Sequence, residues 1–144
     1  MGKVAELSPP NALKTIALFK VDLFIPILTY IFGQAILNGN TGIVSLYRLR
    51  NEHYGLEKNE KVQLERFKKV IIHELGHSFG LTHCHIPTCI MRSSTYVEDI
   101  DQKEQHFCHA CKTLLDDKRA SGYAWITAFI APFKPICIND IFFL

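Results

Sequence analysis

The residues best equipped for chemistry lie in one run, His73-Glu74-Leu75-Gly76-His77-Ser78-Phe79-Gly80-Leu81-Thr82-His83. Histidines at i and i+4 lie one above the other on a helix, so both imidazoles can reach a single Zn2+. Glu74 projects beside them, where it can take a proton from metal-bound water. Gly80 permits the left-handed conformation that ends a helix, and the turn lets His83 come back as a third ligand. Three protein ligands leave one coordination position open, which is the pattern of a catalytic zinc. A lone His-Glu-x-x-His arises by chance, but Gly80 and His83 at fixed offsets lower that chance on the order of a few hundredfold. The chemistry on offer is metal-assisted hydrolysis with Glu74 as general base.

A second set of metal-binding residue types follows directly. Of the five cysteines, Cys84, Cys89, Cys108 and Cys111 form a Cys-x4-Cys and a Cys-x2-Cys pair, and Cys137 is left over as an ordinary buried thiol. The N-terminus makes a poor secretory signal: Lys3 is followed by Glu6, Pro9 and Pro10, and the next apolar stretch is broken by Lys14, Lys20 and Asp22. A cytoplasmic, reducing location is expected, and there paired cysteines favour metal ligation over disulfides. His85 and His109 sit within the cysteine cluster. Either could replace a thiolate, but with four thiolates available they are read as supporting or solvated groups.

Elements to position these residues can be read from the remaining text. The chain has 144 residues, the size of one domain, with 48% hydrophobic content and a net charge of +2. Acidic and basic residues alternate between Arg48 and Lys69, as on a solvated helix face, and no basic stripe points to nucleic acid. Leu23 to Tyr47 carries no charge, yet Pro26, Gly33, Gln34 and the turn Asn38-Gly39-Asn40-Thr41-Gly42 cut it into strand-length pieces, so no membrane span is expected. A short helix is expected over residues 7–18. Strands are expected over Val21–Leu28, with Pro26 at an end or bulge, then Thr29–Leu37, then Gly42–Leu49. A long helix should start at an Asn59 cap and run to about Phe79, with Leu64, Phe67, Ile71 and Leu75 facing the core and His73 and His77 pointing away. Residues 82–111 read as loop-rich.

The motif resembles that of the metzincin zinc peptidases, His-Glu-x-x-His-x-x-Gly-x-x-His. Cys84 directly after His83, then Cys89-Ile90-Met91 and Cys108-His109-Ala110-Cys111, narrows the likeness to the archaemetzincins. The upstream stretches Val21-Asp22-Leu23-Phe24-Ile25-Pro26, Phe32-Gly33-Gln34-Ala35 and Val44-Ser45-Leu46-Tyr47-Arg48-Leu49 look familial too. The resemblance covers roughly residues 15–115. It implies an α/β, metzincin-like fold: a small mixed sheet with an active-site helix, then a loop-rich, zinc-bound C-terminal part. It further implies a second, structural zinc held by Cys84, Cys89, Cys108 and Cys111, and four thiolates do make a closed tetrahedral site with no place for substrate. Met91 would form an apolar floor beneath the catalytic metal, in a packing role. An edge strand within Thr29–Leu37 would pair with extended substrate. No Tyr or Arg can be assigned as oxyanion stabiliser from spacing.

The domain reading is a single unit, 1–144, with an upper subdomain to about residue 80, a lower zinc-bound one over 81–120 and an atypical apolar tail over 121–144. The tail has no family counterpart and is either cover for the core or an unproductive extension. Only twenty residues precede Val21, where the family carries more chain, including a first strand and helix, so the sheet is expected to lack a strand and to leave an open edge. The expected activity is that of a monomeric zinc peptidase with two zinc ions, acting on a peptide or protein. The alternative is a zinc-stabilised binding module that no longer hydrolyses anything, and Glu74 speaks against it, since a purely structural site has no use for that carboxylate.

Overall fold

The computed structural model describes residues 2–122. In chain order the elements are α1 (Gly2–Leu7), β1 (Thr15–Phe19), β2 (Leu23–Ile25), β3 (Leu28–Ile31), β4 (Gly33–Ala35), β5 (Thr41–Ser45), α2 (Glu60–Ser78), α3 (Val97–Gln102) and α4 (His109–Gly122). Two 3-10 turns, Tyr47–Leu49 and Asn51–Tyr54, connect β5 to α2. The main sheet has the order β1-β5-β4, with β5 parallel to β1 and antiparallel to β4. The strands β2 and β3 form a separate antiparallel hairpin.

The central strand explains the layering. Thr41, Gly42, Val44 and Ser45 of β5 are buried, and α2 lies across β4 and β5. One core forms between sheet and helix from Ile16, Leu18, Phe32, Val44, Val70 and Ile100, among others. A second, on the far side of α2, gathers Leu81, Cys89, Ile90, Met91 and Cys111.

Several expectations change. Residues 7–18 hold no helix: α1 stops at Leu7, ahead of the two prolines, and Thr15–Phe19 is a strand. A short continuous apolar run such as Ile16-Ala17-Leu18 suits a strand buried on both faces as well as a helix, and pairing with β5 decides for the strand. The elements before Val21 are thus α1 and β1. The outer edge of β1 is unpaired among the described residues. Val21–Leu28 is not a buried strand but the first arm of the hairpin, with Phe24 and Ile27 exposed and the chain reversing at Pro26 and Ile27. Thr29–Leu37 is divided at Phe32, where the backbone leaves the hairpin and joins the main sheet as β4. The third expected strand ends at Ser45, before a 3-10 turn. The stretch 82–111 is mostly loop but contains α3, whose first turn is capped by Asp99 Oδ2 accepting from the Thr95 and Tyr96 N–H groups, each at 2.8 Å. Cys137 and residues 123–144 of the apolar tail lie outside the described residues.

The helix α2 matches its sequence signals at both ends. Asn59 Oδ1 accepts from Val62 N–H at 3.1 Å. At the C-terminus Gly80 takes φ +85°, its N–H reaches His77 O at 2.8 Å and Leu81 N–H reaches Gly76 O at 3.0 Å. That pair of bonds is a Schellman motif, and the positive φ is why glycine stands there. Along the helix Phe67, Ile71 and Leu75 pack against the core, whereas Leu64 is exposed, one turn short of the sheet. Arg66 fills the buried position instead. Its guanidinium donates twice to Asp101 at 2.7 Å, to Leu49 O at 3.1 Å and to Asn51 Oδ1 at 2.9 Å. It thus ties α2 to α3 and to the turns after β5. Because the Leu49 carbonyl would lose its donor while Asp101 could rehydrate, Arg66→Ala should cost roughly 2–4 kcal/mol in urea unfolding, and a loss under about 1 kcal/mol would show the tie to be dispensable.

Candidate metal centre

The last turns of α2 carry His73, Glu74 and His77, and the Schellman turn brings His83 alongside. The Nε2 atom of His77 lies 3.1 Å from that of His73 and 3.2 Å from that of His83. On the other side of the rings, His73 Nδ1 is 2.8 Å from Ile90 O and His77 Nδ1 is 2.8 Å from Leu81 O. A carbonyl can only accept, so each of these Nδ1 atoms carries the proton and each Nε2 presents a lone pair. Lone pairs facing one another at this range repel unless a cation sits among them. Tetrahedral zinc separates its ligand nitrogens by roughly 3.3 Å. Burial pushes His73 down to about 3, with Lys103 adding to it, and also lowers His77 and His83, so the rings are neutral near pH 7. The donor set fits zinc.

Glu74 is buried beside this group but is not part of it. Its place depends on Gly33 of β4: a Cβ there would lie 2.9 Å from both Cγ and Oε1 of Glu74. The carboxyl accepts the Ala35 N–H. Burial drives its pKa up to about 8, against the pull of Lys103 and Ala35. A divalent cation at the three imidazoles would draw it back down.

The four cysteines named from spacing also converge, with their sulfurs within 4.8 Å of one another. Cys84 Sγ and Cys108 Sγ are 3.8 Å apart, far beyond the roughly 2.05 Å of a disulfide and close to the separation of thiolates on one tetrahedral zinc. Backbone N–H groups of Ile86 and Cys108 point at Cys84 Sγ and Cys89 Sγ, at 3.5 and 3.4 Å. Burial pushes the Cys89 and Cys111 thiols up, while the Cys111 backbone N–H holds Cys108 at about 7. Buried thiols packed this closely gain most from a shared cation. His85 and His109 are exposed and outside the cluster. Met91 is fully buried, with its sulfur against Gly76 of α2.

An open cleft of about 600 Å3 runs past the imidazoles, lined by Tyr30, Phe32, Glu74, Ser94 and Lys103, among others. Sequence reading did not find Lys103. Within Asp101-Gln102-Lys103-Glu104 it reads as one more solvated charge, but it is 5% exposed. Nor could spacing show that Ile90 and Leu81 orient the two helix histidines through main-chain carbonyls.

A model of peptidase family M54 matches residues 8–117. The chain belongs to peptidase family M54. Its sequence is 40% identical over 105 residues to an archaemetzincin of Thermococcus kodakarensis, covering 73% of this chain and 56% of that protein. The fold superposes on the crystal structure of an archaemetzincin from Methanopyrus kandleri with a TM-score of 0.73 and 32% identity, over 82% of this chain and 63% of that one. A zinc-dependent peptidase from Methanocorpusculum labreanum gives 0.70 and 32%, over 78% and 66%. The chain thus spans less than two thirds of the length of the first two of these M54 relatives. No helix of the described residues is long and apolar enough to cross a membrane.

The two buried groups give this M54 chain opposing pH dependences when metal is removed. His73, lowered from 6.5 to about 3, contributes stability that is present above 6.5 and is lost as pH falls towards 3. Glu74, raised from 4.5 to about 8, contributes stability that is present below 4.5 and is lost as pH rises towards 8. In chelated protein the advantage of Glu74→Gln over the parent in melting temperature should therefore grow steadily between pH 4.5 and 8. A constant difference across that range would mean that Glu74 ionises normally in the folded chain.

Proposed function

We propose that this chain hydrolyses peptide bonds, with a catalytic zinc held by His73, His77 and His83 and with Glu74 as general base. The observation that carries the reading is the convergence of three Nε2 atoms, two of them with lone pairs fixed by carbonyls at Nδ1, beside a buried carboxyl on the wall of an open cleft. Zinc, when bound there, supplies a Lewis acid that polarises the scissile carbonyl and makes water acidic near neutral pH. Glu74 accepts the proton and delivers it to the leaving amine. The Ile90 and Leu81 carbonyls hold the rings of His73 and His77 in the one tautomer that can ligate.

Substrate would lie along β4, an edge strand among the described residues. Ser45 N–H bonds to Phe32 O and Ile36 N–H to Thr41 O, at 2.8 and 3.0 Å, so by antiparallel alternation the backbone groups of Gly33 and Ala35 face away from β5. The Ala35 N–H bonds Glu74, which leaves the Gly33 N–H and the carbonyls of Gly33 and Ala35 for an added strand. An extended peptide can add to that face by main-chain bonding. Cys84, Cys89, Cys108 and Cys111 would hold a second, structural zinc, giving two per chain. The upper and lower subdomains would then divide near residue 80. A monomer is proposed, acting on a peptide or protein.

Two variants test the assignment. Glu74→Gln keeps the shape of the side chain but cannot accept a proton, so peptide turnover should fall by roughly two to four orders of magnitude at unchanged zinc content. Turnover equal to the parent would remove Glu74 from the mechanism. Replacing Cys108 and Cys111 together by Ser should lower the zinc content from two to one per chain in elemental analysis and depress the melting temperature, because structural zinc contributes directly to folding. Unchanged metal content and melting would refute the cysteine site.

A further inference from the structure

Lys103 is the least expected residue of the cleft. It is 5% exposed, yet the one hydrogen bond of its ammonium runs to Ile90 O at a long 3.4 Å. That carbonyl already accepts the stronger bond from His73 Nδ1 at 2.8 Å. No carboxylate among the described residues forms an ion pair with Lys103. Asp99, Glu74 and Cys89 attract the ammonium only through space: Asp99 Oδ2 accepts from the Thr95 and Tyr96 N–H groups, and Glu74 is packed on Gly33 and bonded to Ala35. A buried charge is ordinarily paired, because desolvation is costly without a partner.

A second observation lies in the same cleft. Ser94 Oγ is buried without any hydrogen-bond partner, and Ser94 and Lys103 both line the cavity beside His73. A buried ammonium with unused donors and an unpartnered hydroxyl thus line one cleft, and an anion bound there would supply what both lack. A planar carboxylate fits both, with two oxygens to share between them.

We propose that Lys103, with Ser94, selects substrates that carry a carboxylate near the scissile bond, either an acidic side chain or a free C-terminus. The proposal rests on the peptidase reading and names the substrate class of that site. Its energetic logic is asymmetric. A neutral substrate leaves Lys103 desolvated and unpaired, whereas a carboxylate completes its bonding, and rejection follows from the unpaired group. Lys103 is thus a specificity residue and takes no part in the proton transfers.

The test uses the full chain loaded with zinc. Peptides identical but for Glu or Gln at each position flanking the cleavage site separate the side-chain source, and free against amidated C-termini separate the terminal one. The acid form should be favoured roughly 10- to 100-fold in kcat/KM for one of the two series. Lys103→Met should collapse that ratio towards one, Lys103→Arg should restore part of it, and Lys103→Glu should turn the preference towards Lys-bearing peptides. Equal rates for acid and amide peptides in the parent would overturn the proposal, and this comparison needs no variant to fold. So would a Lys103→Met protein that keeps the preference while losing zinc, since Lys103 would then serve only as counter-charge to the cysteine site. If no peptide is cleaved, the peptidase reading fails separately. Equilibrium binding of the same acid and amide peptides to the zinc-loaded chain still decides the selectivity.

Discussion

The hydrogen bond from His73 Nδ1 to the carbonyl of Ile90 is the constraint on which both clusters depend. Ile90 is fully buried and flanked by Cys89 and Met91, so one short stretch of backbone serves several purposes. Cys89 contributes a sulfur to the thiol cluster, Ile90 O orients the first imidazole, and Met91 O accepts the Cys84 N–H at 2.9 Å. Ile90 N–H is in turn held by His106 O at 2.9 Å. A change at the cysteines therefore reaches the histidines through main-chain geometry, over a distance of two residues. The carbonyl that orients His73 therefore sits next in the chain to a sulfur of the thiol cluster.

The opposite wall is set by absence of side chain. Gly33 lets Glu74 pack directly on β4, and Gly76 lets Met91 pack directly on α2. In each case a methyl group would occupy space that a neighbouring side chain fills, so the cost would fall on the position of Glu74 or of Met91 rather than on backbone strain. The cleft also concentrates desolvated charge. Glu74 is pushed towards its neutral form and Lys103 is lowered to about 8, both mainly by burial. Ionisable groups kept this dry are costly to folding, and sites that act on substrates are where such costs are tolerated.

Much of the site was legible in the one-dimensional text because its geometry is local. The i, i+4 spacing of His73 and His77, the Asn59 cap and the glycine after the helix each depend on a few neighbouring residues, and α2 obeys them from Glu60 to Ser78. The same holds for the paired cysteines, whose close spacings bring two sulfurs together before any long-range contact forms. The resemblance drawn from that spacing agrees with the family M54 match over residues 8–117. The beginning of the chain was misread for the opposite reason. Ile16-Ala17-Leu18 has no period to separate strand from helix, and its state is decided by β5, more than twenty residues further on.

What the sequence determined, then, is which residues can bind metal, which can accept a proton and where the helix that carries them begins and ends. Tertiary structure alone decided which face each group meets. It set the Ile90 carbonyl against His73, Gly33 against Glu74, Phe32 at the crossing between two sheets, and Lys103 inside the cleft instead of in water. The physical reason is common to all four. Burial and the hydrogen-bond partners of main-chain carbonyls are properties of chain segments brought together from a distance, and no local pattern of residue types encodes them.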